Sequence, residues 1–503
     1  MKRLSAIPLN GKYFSECRIP PSYNPLIKHI CTDSRTCTAN SLFFAIEGLH
    51  VDGHDYIPEA IQRGAVAVVH SKELTYYDSA LAYFRTDRIR TMLSFLSAEF
   101  YDNPQKQLTC IGVTGTDGKT STCEFIWQLM NLLHVRCGLI DTVHMDDGSK
   151  CIPSPYRQST PEPTELYPFL SQCRKNGLAY VVIEATSHGL SDECARLKDI
   201  EFSAVVFTTV SSEHLEFHKT LARYIDAKFN LARQLVKNGH IVSARDFPYL
   251  ESLKSIAPKH ARFATYALDS SSDCDLAAVT LAHDLYSRTC RINTQDHVEI
   301  PFGPGFFTRN MLGAALAVSQ LLSIQVDKIC SLFNQLKPIE GRFALQRFQL
   351  PFSIIIDFAH TPDAFEHLFS EIRSVLNKGR MIALFGAAGE RDASKRKPMG
   401  TVASRYCAAL FLTDEDPRKE NSAVIINDII QGIPEESQTE VYVIFDRRMA
   451  IAKALRYCKA GDILLLLGKG HEHTIQYASQ TVAWNESDVL EEEVERLLLE
   501  KDQ

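Results

Sequence analysis

The chain has 503 residues, 45% hydrophobic and 23% charged, with a formal net charge of −7. At roughly 150 residues per domain this length suggests about three domains, and the composition excludes global disorder. With 54 basic against 61 acidic residues, adhesion to nucleic acid by phosphate neutralisation is excluded as the main binding mode, although an anionic small molecule needs only a local basic site. The longest apolar runs, such as Ile463 to Leu467, are strand-sized, far short of the roughly 20 residues that cross a bilayer, so no membrane insertion is expected. Pro8, Asn10 and Gly11 interrupt the N-terminus, which does not read as a signal peptide. The 14 cysteines lack CxxC spacing and read as small buried hydrophobes in a reducing compartment, the cytoplasm by default.

In chain order, the first segment carries its own α/β signature in DSR (33–35), SLFFAIEG (41–48), DGHDY (52–56) and GAVAVVHS (64–71). The turn Asn103-Pro104-Gln105 sets a boundary near 106. From 108 onward one pattern recurs: a short β-branched run, a Gly-rich or polar cluster, then a helical period. LTCIGVTGTDGKT (108–120), YVVIEATSHG (180–189), SIIIDFAHTPDA (353–364), MIALFGAAGERD (381–392) and DILLLLGKGHEH (462–473) all follow it. Such strands predict parallel sheets covered by helices, with ligands at the carboxyl ends of the strands, where the polar clusters fall. Residues 265–302 read as an antiparallel insertion late in the middle domain. Lys337 to Gly341 sets the second boundary near 340, KRKP (395–398) reads as a solvated basic turn, and the acidic C-terminal tail reads as an amphipathic helix.

The sharpest motif is Thr114-Gly115-Thr116-Asp117-Gly118-Lys119-Thr120, between a strand and a helix. Glycines let successive N–H groups face an anion, Lys119 reaches the β- and γ-phosphates, and the Thr120 hydroxyl is placed for Mg²⁺. A full GxxxxGK[ST] match needs Gly at 113, where Val stands; the shorter GxxGKT sits at the correct junction and predicts nucleotide binding. Glu184, at a strand end, reads as a second Mg²⁺ ligand or as a helix-capping carboxylate. His214 reads as a metal ligand or as an ordinary hydrogen-bonded histidine, and Lys228 by composition alone is a solvated helical lysine. Asp357 and His360 follow a buried strand and suit a nucleotide's ribose or phosphate, while Arg342 at the domain boundary suits a phosphoryl group in transfer. Arg391, Arg418 and Glu472 each lie beyond a different strand. Together they suit a ligand carrying carboxylate and ammonium groups, or else form strand-end salt bridges.

Taken together, TDSR, LFFAIEG, DGH, TGTDGKTS, STPE, IEATSHGL, EHLEFH, YIDAK, GRF, IDFAHTPDA, FGAAGERD, EDPR, DRRMAIAKAL and GKGHE run collinearly over nearly the whole chain. In this order they resemble the Mur ligases, and among these the tripeptide-forming branch. The resemblance implies a three-domain α/β architecture: a UDP-sugar-binding domain over 1–106, a central P-loop-type ATPase domain over 107–340 and a Rossmann-like amino-acid-binding domain over 341–503. It implies an ATP-dependent ligase that activates the D-Glu γ-carboxylate of UDP-N-acetylmuramoyl-L-alanyl-D-glutamate as an acyl phosphate and adds a diamino acid. The acceptor is meso-diaminopimelate in preference to L-lysine or L-ornithine, and a monomer is expected.

By the same resemblance, Gly115, Thr116, Asp117, Gly118, Lys119, Thr120, Ser121, Asn310, Arg342, Asp357 and His360 serve ATP. Thr120, Glu184, His214 and a carbamylated Lys228 hold Mg²⁺, and Lys119, Lys228, His214 and Arg342 form the catalytic set. Ser34 and Arg35 meet the UDP moiety, while Ser159, Thr160, Thr186 and Arg196 meet the muramoyl-dipeptide. Arg391, Asp416, Arg418, Gly468 and Glu472 line the amino-acid pocket. The chain departs from the family pattern at Asp117 (usually Asn), Phe307 (an adenine-segment Asn), Phe358 (a common Tyr) and Asp416 (Asn in diaminopimelate enzymes), and carries two extra residues between His188 and Arg196. The rival readings are a folylpolyglutamate synthetase-type ligase, a non-catalytic ATP-binding paralogue and a simple P-loop phosphotransferase. The UDP-binding N-terminal domain counts against the first, and GKGHE with the DSR segment against the last. Retention of Lys119, Glu184, His214, Lys228 and Arg342 counts against the paralogue.

Overall fold

The computed structural model describes residues 1–48, 51–156, 158–211, 213–270, 273–376 and 378–501. Among these, three sheets of five or more strands follow one another along the chain. In the first, His29–Cys31, Ser41–Ala45, Ala65–His70 and Ala82–Arg85 lie parallel in that order, with Glu16–Arg18 antiparallel beyond the last. The run SLFFA is buried throughout, as a strand covered on both faces must be. Helix Ile89–Phe100 lays Met92, Leu93, Leu96 and Phe100 on one face of this sheet.

The central sheet has eleven strands. Its parallel heart runs Cys137–Ile140, Tyr180–Glu184, Thr109–Thr114, Phe202–Phe207, Leu235–Ala244 and Arg262–Ala267, so the strand feeding the phosphate loop lies inside the sheet. Helices Lys119–Leu132 and Gly305–Leu322 bury Phe125, Ile126, Leu129 and Met311 against one face. Pro163–Lys175 and Leu221–Arg233 bury Leu166, Leu170 and Leu231 against the other. Antiparallel strands are present late in this region, over Leu276–Ile300, but they are not a separate insertion. Leu276 pairs in parallel with Tyr266, and the hairpins that follow extend the central sheet.

The third sheet runs Ala344–Gln346, Ser353–Asp357, Ile463–Leu467, Met381–Phe385, Ala409–Leu412 and Glu440–Val443, all parallel except the first. The loops after Asp357, Phe385, Leu412 and Leu467 therefore share one edge, the ligand edge of an open α/β sheet. The terminal helix spans Glu486–Lys501, and the last two residues lie outside the described part. Among the described residues no helix is long and apolar enough to cross a membrane. KRKP is not a solvated turn: Arg396 is buried at a helix start, where its guanidinium meets Glu420 and Asp428, and Lys395 donates to the His360 carbonyl.

Candidate active site

Hydrogen bonds from neighbouring strands and helices hold the phosphate loop 115–118 in place. Thr208 Oγ1 donates to the Asp117 carbonyl at 2.6 Å, and the Asp117 N–H donates to Thr209 Oγ1 at 3.2 Å. The Thr116 hydroxyl pairs with Tyr224 at 2.9 Å. Gly118 caps the following helix at φ 83°, and a Cβ there would lie 2.6 Å from Asn310 Oδ1, so the buried Asn310 braces the loop from the neighbouring helix. Gly115 passes so close to Thr208 that no side chain fits. Lys119 folds back onto the Thr116 carbonyl at 2.7 Å, and Ser121 is buried one position beyond Thr120. Burial and then the Glu213 carboxylate push Asp117 above the usual carboxylate range.

Glu184 gathers the next group of residues. Its Oε2 accepts from the Thr120 hydroxyl at 3.0 Å and from the Thr142 N–H at 3.0 Å, with the Thr142 hydroxyl 2.8 Å away. Thr142 also reaches Ser159 Oγ at 2.7 Å. The Glu184 carbonyl accepts from Thr160 Oγ1 at 2.7 Å, and Thr160 Oγ1 accepts from the Thr186 N–H at 2.9 Å. Arg196 completes this line, donating to the Thr160 carbonyl at 2.9 Å and pairing with Glu162 at 2.9 Å; Arg90 of the first segment meets the same Glu162 at 3.1 Å. The two extra residues before Arg196 therefore do not displace it from Thr160.

Lys228 is not solvated. It is 2% exposed, donates to the Gly115 carbonyl and sits over the Tyr224 ring at 4.4 Å. Burial, followed by the Lys119 charge, holds its amine well below the ordinary lysine value. His214, at φ 55°, is half-exposed between Glu213 (3.7 Å) and Glu216 (3.4 Å), with its ring 4.8 Å from His188. Desolvation and then His214 push His188 down to about 3, and the same two causes push His218 down to about 4. Glu213, which sequence reasoning passed over, lies beside His214, Lys119, His360 and Lys228; burial works to raise it, and the His214 and Lys119 charges hold it below the usual carboxylate range. Thr120 and Glu184 offer the hard oxygen donors that suit Mg²⁺. Among the described residues no three His, Cys, Asp or Glu side chains are gathered to hold a metal on their own.

Arg342 crosses from the third segment to this centre. Its Nη2 donates to Thr120 Oγ1 at 3.2 Å, and its guanidinium lies over the Phe358 ring at 4.6 Å. Asp357 accepts from the N–H groups of Phe343 (2.6 Å) and Ala359 (2.7 Å), so in this state it fastens the chain around Arg342. Burial, followed by Lys395, pushes His360 down to about 3, and its Nδ1 meets the Phe358 carbonyl at 2.9 Å. Phe307 is buried among Phe125, Phe302, Phe306 and Phe343, a core position with no surface for a nucleotide base.

At the edge of the third sheet, fully enclosed Lys469 pairs with Asp416 (3.0 Å) and Glu472 (2.5 Å), and Asp416 also accepts from the Gln476 N–H at 3.0 Å. Gly468, at φ 95°, is all that fits over Glu415 Oε2, which a Cβ would approach to 2.6 Å. Glu415 Oε2 and Arg418 Nε are both buried without a hydrogen-bond partner. Arg391 lies exposed on the adjacent loop. In the first segment, Ser34 is buried and donates to Glu59 at 2.9 Å, while the exposed Arg35 pairs with Asp33 at 2.6 Å. Lys469, Glu415, Thr142 and Glu213 were given no role by sequence reasoning, although Glu213, Glu415 and Lys469 lie inside the motifs EHLEFH, EDPR and GKGHE; for Thr142 the signal was its place just beyond a strand.

The family models for the Mur ligase family catalytic domain, the Mur ligase middle domain and the Mur ligase glutamate ligase domain match residues 26–101, 113–318 and 341–470. A UDP-N-acetylmuramyl-tripeptide synthetase of Borreliella burgdorferi is 40% identical over 486 residues, 94% of each chain. A UDP-N-acetylmuramoyl-L-alanyl-D-glutamate–2,6-diaminopimelate ligase of Coxiella burnetii is 32% identical over 95% of this chain and 98% of its own. Among solved structures, a 2,6-diaminopimelate ligase of the same description aligns with TM-score 0.61 at 24% identity, covering 94% and 95% of the two chains. A MurF ligase from Thermotoga maritima in complex with ADP aligns with TM-score 0.63 at 20% identity, covering 94% and 98%. A Mycobacterium tuberculosis folylpolyglutamate synthase also shares the fold (TM-score 0.61, 15% identity), over 75% of this chain. Its relatives mark the chain as an ATP-dependent ligase. The chain belongs to the Mur ligase family, whose work is peptidoglycan assembly.

Proposed function

We propose that this ligase adds a diamino acid to the D-Glu γ-carboxylate of UDP-N-acetylmuramoyl-L-alanyl-D-glutamate, with the three sheets serving as domains over 1–106, 107–340 and 341–503. The observation that carries the reading is the meeting at Thr120 of the phosphate loop, Glu184 and Arg342, with the Thr160–Arg196 line on one side and the Lys469 cluster beyond Arg342. A carboxylate does not form an amide directly, because oxide is a poor leaving group. In the first step a γ-carboxylate oxygen attacks the γ-phosphorus of ATP and ADP departs; Lys119 and Arg342 offset the charge on the group in transfer. In the second, the acceptor amine, freed of its proton, attacks the acyl carbon and phosphate leaves. Thr160, Thr186 and Arg196 hold the muramoyl-peptide, and Ser34 and Arg35 the UDP end.

Thr120 and Glu184 would hold Mg²⁺ together with the nucleotide, His214 adding a ligand, and the cation's contribution is to offset phosphate charge. Lys228 is suited to carbamylation because CO₂ reacts with a neutral amine, the form its burial favours; the resulting carboxylate would face the same cation. For the acceptor, a buried carboxylate oxygen on Glu415 and a buried donor atom on Arg418, each without a hydrogen-bond partner, support meso-diaminopimelate, whose distal carbon bears both ammonium and carboxylate. Asp416, where diaminopimelate enzymes carry Asn, adds negative charge that would favour the side-chain ammonium of lysine or ornithine, and Lys469 neutralises part of that charge. The test is substrate labelled with ¹⁸O in the γ-carboxylate. One label should appear in the released phosphate, and label-free phosphate would overturn the acyl-phosphate route.

A further inference from the structure

We propose that Cys31 and Cys37 are a reversible dithiol–disulfide site that sets the turn carrying Ser34 and Arg35, and through it the binding of the nucleotide sugar. The two sulfurs lie 2.8 Å apart, six residues apart in the chain, and both residues are buried. A disulfide needs a separation of about 2.05 Å, so only a sub-ångström movement separates the pair from a bond. Cys31 closes the edge strand His29–Cys31, and Cys37 closes the short 3₁₀ turn Ser34–Thr36, its N–H bonded to the Ser34 carbonyl. A bond between them closes a small ring that contains both residues assigned to the UDP end.

The chemistry of the pair is asymmetric. A hydrogen bond joins the two sulfurs and holds the Cys37 thiol below its ordinary value against its burial, as in dithiols where one sulfur attacks and the other resolves. With a small peroxide as oxidant, the Cys37 thiolate attacks the peroxide O–O bond, giving a sulfenic acid and releasing water once a proton is taken up. Cys31 then attacks that sulfur and a second water leaves, so two thiols and one peroxide give one disulfide and two waters. A thiol reductant returns the pair. Disulfides in reducing compartments are usually transient, catalytic or redox-sensing, which suits a pair placed against a binding turn.

The inference rests on the assignment of Ser34 and Arg35 to the nucleotide sugar, and the experiment separates the two. The full chain is treated with stoichiometric hydrogen peroxide, digested without reductant and analysed by mass spectrometry, and its KM values are measured before and after. The expected result is loss of two of the 14 thiols, a peptide cross-link between Cys31 and Cys37 that dithiothreitol reverses, and a severalfold rise in the KM for the nucleotide sugar with the KM for ATP unchanged. Cys37→Ser and Cys31→Ala should each keep their activity through the treatment. Oxidation that spares this pair, or a cross-link that leaves the nucleotide-sugar KM unmoved, overturns the proposal. Arg35→Ala in the reduced enzyme reports separately on the assignment of the turn.

Discussion

At Lys228 the fold holds an amine where its proton is costly. The unfolded chain carries that proton below the ordinary lysine value of 10.5 and the native state does not, so stability due to this group falls as pH falls through the window beneath 10.5. In CO₂-free buffer, wild-type stability should drop relative to Lys228→Met by up to about 1.4 kcal/mol per pH unit across that window. Melting curves over an alkaline pH series check this, and a flat difference would mean that the ammonium persists in the fold. The same variant should lose turnover, with partial rescue by short-chain carboxylates if a carbamate is the working form. Lys469 presents a different case, an enclosed lysine ion-paired with two carboxylates. Lys469→Met leaves Asp416 and Glu472 facing each other and should cost about 3 kcal/mol. It should also raise the KM for the amino acid while the KM for ATP stays put, which steady-state kinetics with each substrate varied in turn would read.

Between strand Thr109–Thr114 and helix Lys119–Leu132, the phosphate loop depends on glycines that the neighbouring elements leave no room to replace. Gly118→Ala adds a left-handed Cβ, costing about 1–2 kcal/mol, and presses it into Asn310, so both stability and affinity for ATP should fall. Gly177, also at positive φ but with open space around it, supplies the control: Gly177→Ala should bear the backbone cost with ATP kinetics unchanged. Elements of this kind were legible because a β-branched run ending in glycines has few alternatives, and the strand-loop-helix order around 108–132 stood as expected. The antiparallel strands after 276 were legible as strands but not as part of the central sheet, since their pairing with Tyr266 is a long-range choice. Arg396 looked like a surface charge because the carboxylates that enclose it, Glu420 and Asp428, lie on later elements. Lys228 was opaque for the same reason: its burial comes from the loop at Gly115, more than a hundred residues earlier.

Across the whole molecule, contacts between segments place the reactive parts. Glu162 ties Arg90 of the first segment to Arg196, and Arg342 joins the third segment to Thr120 of the second. The aromatic cores of the second and third segments also meet, at Phe307 and Phe343. The acyl phosphate of the proposed reaction, which water would destroy, calls for such an enclosure between segments. Phe307, a departure from the family pattern, belongs to that internal contact, and Phe358 supports Arg342 with its ring face. The most direct measurement is phosphate release from ATP with UDP-N-acetylmuramoyl-L-alanyl-D-glutamate present and meso-diaminopimelate, L-lysine or L-ornithine supplied one at a time. Release that requires the nucleotide sugar and is strongest with meso-diaminopimelate is the predicted result. Release indifferent to the amino acid, or none with any of the three, would contradict the account.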